Sequence, residues 1–600
     1  MTYLRLPKSL GKRLYDWARG RPAGLVALAL AVGLGAGIGA ILFRYLIEWF
    51  TFAFTGHTDY GGAGREPNPF VPWMGFWFVA LAPVAGGLLY GPLIEWGARE
   101  ARGHGVPEVM LAVAEKGGRI RPRVALIKSV ASALCIGAGG SVGREGPIVQ
   151  IGSAIGSGLG QVLRVTESRL RLLVACGAAG GISATFNAPI AGAMFALELI
   201  LRDFEAESFG VVVISSVVAN VVGRSAFGAH PFLSLPPFEV ASIWEYPLYA
   251  GLGLLAALTG VAFFRALYAT EDAIDRLWRG PEWLRPGVGG IALGILLLAL
   301  PEMYGVGYPT LEAAIRGSYA AWFLVLLLGG KILATSLTIG IGGSGGVFAP
   351  SLFMGAVLGT AYGQVVHRLI PGLTGSAGAY GLVGMGAVFA AAARAPITSA
   401  LVIFELTGEY RIILPLLFAI ALSTSISNLI TRDTIYTLKL KRRGVDLGRD
   451  RTGNPMELIT VGEAMEPIPE PLRSDQSLSD VVWRFAGRGS DALPVVDRGG
   501  HYLGAIVYRQ VEEAVRDNAL DVPVGTSARE IPTVTASQTL AQALAVLVPE
   551  DLPGIPVLDA GRLSVVGWLN HGAVLRAYQA RLSTGVGTGE GRRGRGVSSS

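Results

Sequence analysis

Two cysteines, Cys135 and Cys176, stand in 600 residues, and both lie in apolar runs. No disulfide framework can be built from them. Histidine is nearly as scarce. Six are present, of which His104 and His367 lie in or near apolar runs, so chemistry that needs a histidine base has few candidates. Charged residues make up 16% of the chain, against about 25% in ordinary soluble domains. That argues against a large soluble α protein. Long unbroken apolar runs are also few. Leu25 to Leu42 and Trp77 to Leu93 are clear, but several later stretches, such as Ile291 to Leu300 and Ile397 to Phe404, fall short of the ~20 residues a full span needs. Short, interrupted helices are tolerated at membrane depth only when buried in protein or lining a cavity.

What is abundant is glycine, 84 of 600 residues, about twice the usual share. Glycine inside apolar sequence suits close-packed membrane helices. It is concentrated in a loop that occurs twice. Lys128 to Pro147 reads KSVASALCIGAGGSVGREGP, and Lys331 to Pro350 reads KILATSLTIGIGGSGGVFAP. At an offset of 203, 10 of 20 positions are identical. GHGVP at Gly103 to Pro107 is echoed by GVGYP at Gly305 to Pro309, and NAPIAGAMFALE at Asn187 to Glu198 by RAPITSALVIFE at Arg394 to Glu405. Residues of roughly 100–200 and 300–410 are therefore two copies of one unit. A duplicated membrane protein with Gly/Pro-broken segments binds its substrate where the breaks meet.

The breaks suggest what is bound. Pro107, Pro147 and Pro350 each follow a glycine-containing loop and open an apolar helix, the first helical position being where proline is favoured. Helix N-termini carry unpaired N–H groups and a partial positive charge. Three of them converging form a site for a small anion such as chloride. Glu145 stands just before Pro147, where the other copy has Phe348. A carboxylate there supplies the charge an anion would supply, so it can occupy the site and compete, and protonation would release it. Glu198 and Glu405 are matched between copies and read as structural.

Rival readings are weaker. Gly139-x-Ser141-x-Gly143 and Gly342-x-Ser344-x-Gly346 fit the pattern of serine hydrolases, including intramembrane ones. That chemistry needs a general base, and a serine present in both copies fits a structural or ligand role better. Gly340-x-Gly342-x-x-Gly345 lacks the strand and the acidic residue of a dinucleotide site, and neither loop ends as a P-loop does. No enzymatic activity, metal or redox cofactor is indicated.

Basic residues from Arg5 to Arg21 precede the first span, and Lys439, Lys441, Arg442 and Arg443 follow the last. The positive-inside rule puts both termini in the cytoplasm. No small-residue cleavage site closes the first apolar run, so no signal peptide is expected. The expected division is a cytoplasmic segment 1–22, a transmembrane domain 23–445, a soluble module 455–580 and a disordered tail 581–600. The module is itself duplicated. Ala492-Leu-Pro-Val-Val-Asp497 with Gly504 to Val507 matches Gly554-Ile-Pro-Val-Leu-Asp559 with Gly567 to Leu569, each preceded by a helical stretch. Two paired α/β units follow.

GREGP, GVFAP and GHGVP, in their order, resemble the three signature segments of the CLC family of chloride channels and transporters. The likeness covers residues 20 to 445, and the module resembles a pair of CBS domains. The resemblance implies an α-helical polytopic membrane protein built as an inverted repeat of short, broken helices, with an α/β cytoplasmic CBS pair. It implies a homodimer in the cell membrane that moves chloride, each subunit with its own pathway. Glu145 would be the gating glutamate. Val347 and Phe348 would offer backbone N–H groups to the anion, Gly105 and Gly146 would complete the backbone set, and Tyr436 in DTIYTLKL would donate its hydroxyl. The chain departs from the family pattern at three points. His104 replaces the serine that donates to the central anion. Leu199 stands where coupled exchangers carry an internal proton glutamate. Tyr508, Val511, Asn570 and Ala573 fill the module positions where nucleotide binders carry Thr and Asp, so no nucleotide is expected there. Leu199 favours a passive or loosely coupled chloride pathway over the alternative, a proton-coupled chloride antiporter.

Overall fold

Proline and glycine set most helix boundaries in the first 446 residues. The computed structural model describes residues 22–446 and 456–586, apart from 62–65, 229–230, 234, 236–237, 239–241, 457–458, 489–491, 549–551, 560 and 562–563. The basic residues Arg5 to Arg21 and the tail 587–600 lie outside the described residues. The chain divides into two compact units between Val445 and Asp446.

The first unit is helical, and its helices recur in order. Pro22–Thr55, Phe78–Pro92, Val106–Glu115, Arg123–Gly137, Glu145–Val162, Glu167–Phe186, Pro189–Leu201 and Ala206–Phe227 are followed by Tyr246–Leu277, Arg285–Ala299, Tyr308–Ile315, Ala321–Gly340, Phe348–Leu369, Ala377–Ala393, Pro396–Thr407 and Ile413–Ile430. The repeat thus extends beyond the motif-bearing 100–200 and 300–410. The first helices of each copy share only apolarity, which leaves no motif to align. Among the described residues, six helices of this unit are long and apolar enough to cross a membrane.

Glycine lets the equivalent helices pack alike. A Cβ on Gly152 would clash with the Gly177 carbonyl, and one on Gly355 with the Gly384 carbonyl. Two helix backbones therefore touch at the same place in each copy. The left-handed turns that end Glu167–Phe186 and Ala377–Ala393 also match, at Asn187 (φ 57°) and Arg394 (φ 55°). The Arg394 guanidinium donates to the Arg432 carbonyl at 2.6 Å. Pro107 stands second, and Pro147 and Pro350 third, in their helices, rather than first as expected. The physics is unchanged, since N–H groups throughout the first turn have no intrahelical acceptor.

The second unit holds two three-stranded sheets of one topology. β1 (Leu472–Arg473) pairs parallel with β2 (Ala492–Val496), which pairs antiparallel with β3 (Tyr502–Val507). β4 (Val534–Thr535), β5 (Gly554–Leu558) and β6 (Val565–Asn570) repeat this. The register shifts at Val495/Val496 and again at Val557/Leu558, so even the bulge is duplicated. Helices Leu478–Arg488 and Leu540–Leu547 precede β2 and β5. Asn570 accepts from the Ala573 N–H at 2.7 Å and caps the last helix. That helix, His571–Val586, continues past the expected boundary at 580, so 581–586 are helical rather than disordered.

Candidate anion pathway

Three glycine loops come together in the first unit. Gly143 and Gly346 exchange backbone hydrogen bonds at 2.7 and 2.5 Å, which ties the two long duplicated loops to each other. The Gly103 N–H donates to the Gly343 carbonyl at 3.0 Å, and the Gly345 N–H to the Gly103 carbonyl at 3.3 Å. This brings in the third loop. A Cβ on Gly146 would clash with the His104 carbonyl, and one on Gly346 would lie 2.7 Å from the Gly146 nitrogen. The starts of helices Val106–Glu115, Glu145–Val162 and Phe348–Leu369 therefore meet, through residues without side chains.

Buried lysines hold this junction. Lys128 Nζ donates to the carbonyls of Ala101 (2.9 Å) and Gly103 (2.7 Å). Lys331 Nζ donates to Ser141 Oγ (2.9 Å), the Val306 carbonyl (3.0 Å) and the Gly305 carbonyl (3.4 Å). Both lysines are fully buried. The sequence signal was present, because a lysine opens each copy of the 20-residue motif inside an apolar run. The same bonds remove support for the hydrolase reading. Lys331 is spent on two backbone carbonyls as well as on Ser141, so it serves the loop junction. Ser344 is hydrogen-bonded to Ser132 (2.8 Å) and donates to the Ala101 carbonyl (2.6 Å).

Glu145 is 1% exposed. Its Oε1 accepts from the Tyr308 hydroxyl at 2.6 Å and its Oε2 from the Ala349 N–H at 3.3 Å. The carboxylate thus sits at the N-terminus of the Phe348–Leu369 helix, where a free N–H group and the helix dipole favour negative charge. Val347 and Phe348 stand at that same start, with the Phe348 ring packed on Phe389 (centroids 4.4 Å) and Phe186 (5.5 Å). Gly105 caps Val106–Glu115, and Gly146 lies in the first turn of Glu145–Val162. Tyr436 is buried, its ring 6.1 Å from that of His104. His104 is buried with Nε2 at 3.4 Å from the Tyr268 hydroxyl. The candidates Glu145, His104, Gly105, Gly146, Val347 and Phe348 come together at the junction, with Tyr436 beside His104. Leu199 is elsewhere, buried in the wide π-helical turn Ala196–Leu201 that packs on Val106–Glu115.

Tyr308 and Tyr268 were missed. Tyr308 was visible within GVGYP, but its partner lies 163 residues away. Tyr268 has no motif around it. Two cavities flank the stretch. One of about 360 Å³ is bordered by Arg44, Arg144, Tyr304 and Tyr308. Another of about 750 Å³ is bordered by Arg102, Glu271, Lys439 and Arg442. Glu198 and Glu405 act across the repeats. Glu198 accepts from the N–H groups of Ile397 (3.2 Å) and Thr398 (2.8 Å), and Glu405 from those of Ile190 (3.0 Å) and Ala191 (2.7 Å). Each caps the helix on which the other stands.

Comparison with known proteins agrees with this geometry. The family model for voltage-gated chloride channels matches residues 86–428, and that for the CBS domain matches residues 461–517. A putative chloride channel protein, ClcB-like, of Ralstonia nicotianae is 35% identical over 70% of this chain and 98% of its own. The H+/Cl− exchange transporter ClcA of Vibrio cholerae is 33% identical over 70% of this chain and 90% of its own. The crystal structure of a slow cyanobacterial Cl−/H+ antiporter superposes with TM-score 0.64 at 28% identity, over 70% of this chain and 97% of that one. A eukaryotic CLC transporter, at 23% identity and TM-score 0.58, shares the fold over 91% of this chain and 97% of its own. With its apolar helices and its paired α/β module, the chain is an integral, multi-pass transport protein rather than an enzyme, and it belongs to the voltage-gated chloride channel (CLC) family.

Proposed function

We propose that this chain carries chloride across a membrane past Glu145, which gates the path, and that chloride moves in exchange for protons. The observation that carries the reading is the position of the Glu145 carboxylate. It holds the start of the Phe348–Leu369 helix as a small anion would. Chloride competes with it for that start, and protonation of Glu145 favours release. Gly105, Gly146, Val347 and Phe348 supply backbone N–H groups along the path, with His104 and the Tyr436 hydroxyl further in. Chloride as substrate and the proton as its counterpart are supported by the relatives, whose names include H+/Cl− exchange transporters and a Cl−/H+ antiporter. One observation favours a second reading, a passive or loosely coupled pathway. Leu199 cannot bind a proton.

The working unit is a homodimer in the cell membrane, in contact with lipid, with both termini in the cytoplasm. The basic residues Lys439 to Arg443 support that orientation. The CBS pair is a cytoplasmic regulatory module. Val511 and Ala573 are buried in its two halves, and neither offers a carboxylate to a nucleotide ribose.

The test is flux from liposomes holding the purified full-length chain. Chloride release should follow when valinomycin supplies potassium as counter-ion, and empty-vesicle rates would end the chloride reading. The reversal potential is then measured with a proton gradient at fixed chloride. Exchange shifts it with pH, whereas a potential fixed at the chloride Nernst value selects the passive pathway. Glu145→Gln keeps the shape and removes the charge. Its chloride flux should rise or lose its dependence on external pH, and an unchanged flux and pH profile would reduce Glu145 to a helix cap.

A further inference from the structure

His104 is 2% exposed, and one of its ring nitrogens has no partner among the described residues. Its Nε2 faces the Tyr268 hydroxyl at 3.4 Å. That hydroxyl has one proton and donates it to the Ile435 carbonyl at 2.5 Å. Toward His104 the Tyr268 oxygen can only accept. The network therefore assigns the proton of the neutral imidazole to Nε2. Nδ1 is left as a bare lone pair, buried and without a donor.

The charges facing His104 are cationic. Lys128 on Arg123–Gly137, Lys439 on Thr437–Arg442 and Arg443 just after it all act on the ring. Each is engaged elsewhere: Lys128 with the Ala101 and Gly103 carbonyls, Lys439 with Glu271 and Arg443 with Glu108. Glu271 and Glu108 are thus the neighbouring acids, and both are paired. Arg442 stands over the Tyr268 ring at 4.7 Å and is paired with Asp272. Tyr268, at Nε2 of His104, and Tyr436, its ring 6.1 Å away, are further titratable neighbours.

In this setting a proton arriving alone would make an imidazolium among three cations. An anion arriving alone would meet a lone pair. Arriving together they satisfy each other, with a new Nδ1–H donating to the anion. We infer that His104 binds a proton at Nδ1 jointly with an anion, so that it serves as the inner proton site that residue 199 cannot supply. The inference rests on the proposed chloride path. Solvent protons approach through the cavity bordered by Glu271 and Lys439, Glu271 lying one helical turn from Tyr268. Because coupling is reciprocal, anion binding must draw in a proton as strongly as a proton draws in the anion.

The experiment is calorimetry of chloride binding to the full-length chain in the Glu145→Gln background, which removes the gate's own proton. Buffers of differing ionisation heat report the protons taken up with each chloride. Proton uptake is expected, with chloride affinity tightening on acidification by at most about tenfold per pH unit. Adding His104→Ser should abolish the uptake and flatten the pH profile. Adding Tyr268→Phe keeps His104 but removes the acceptor for Nε2–H. The neutral ring can then carry its proton on Nδ1, so affinity at neutral pH should rise toward its acid value. No proton uptake in Glu145→Gln alone overturns the inference. So does uptake that persists in His104→Ser, or a Tyr268→Phe profile equal to its parent's. Absence of both chloride binding and liposome flux in the unmutated chain instead overturns the chloride path itself.

Discussion

In the first repeat Lys128 donates to the carbonyls of Ala101 and Gly103, and in the second Lys331 donates to those of Gly305 and Val306. Gly152 and Gly355 meet Gly177 and Gly384 in the same way. Glu198 and Glu405 cap each other's helices. At other equivalent positions the copies part. Glu145 corresponds to Phe348, His104 to Val306 and Tyr308 to Val106. The Tyr308–Glu145 hydrogen bond therefore has no counterpart, since its equivalent pair is Val106 and Phe348. The matched lysines, touching glycines and capping glutamates are scaffold. They answer a demand both copies share, which is to satisfy buried backbone groups and let helices touch. Positions that diverged carry the proposed chemistry. A duplicated scaffold can bring two helix starts together, but a path with one gate and two different ends must break the symmetry.

The largest effects test the shared half of that comparison. Lys331→Met leaves Ser141 Oγ and two carbonyls without their donor, and Lys128→Met leaves two carbonyls. Each variant should lose about 3–5 kcal/mol of stability, with Lys331→Met the worse. Thermal melting and the yield of monodisperse protein in detergent measure this. Tolerance of one substitution with collapse of the other would break the equivalence.

The next effect tests the divergent half. Tyr308→Phe removes the hydroxyl that donates to Glu145. A hydrogen bond to a charged group contributes about 1.5–3 kcal/mol, so the hold on the carboxylate should loosen by roughly ten- to a hundredfold. Chloride flux should rise toward that of Glu145→Gln without losing its pH dependence, because the titrating group remains. Flux equal to wild type would show that Tyr308 does not restrain the gate.

The smallest effect returns to the scaffold. Glu198→Gln and Glu405→Gln each weaken a helix cap by about 1 kcal/mol. Glu198 also accepts from the Thr398 hydroxyl at 2.6 Å, so its loss should be the greater by a few tenths. Hydrogen exchange should quicken at the start of Pro396–Thr407 in the first variant and of Pro189–Phe195 in the second. Exchange that quickens in the mutated residue's own helix instead would contradict the reciprocal capping.

Much of the scaffold was legible because it is written locally. Gly/Pro breaks marked the helix starts near Pro107, Pro147 and Pro350, and short β-like runs that recur in the module marked β2, β3, β5 and β6. Glu198 and Glu405 read as structural because they matched. The full extent of the repeat was not legible. Pro22–Thr55 and Tyr246–Leu277 share shape and apolarity but no motif. Tyr268 was missed for a related reason, since its neighbours His104 and Ile435 lie 164 and 167 residues away.

Sequence by itself determined the class of molecule, the duplicated breaks, the isolated acid at Glu145 and the histidine at 104. Each follows from composition, spacing or residue type within a few turns of chain. Tertiary structure alone decided that three helix starts meet, that Glu145 is held by Tyr308 and Ala349, and that Tyr268 determines which nitrogen of His104 carries the proton. Those outcomes depend on hydrogen bonds between residues more than 160 positions apart. Such a bond forms only when packing has desolvated both partners and brought them within reach, and no local pattern encodes that distance.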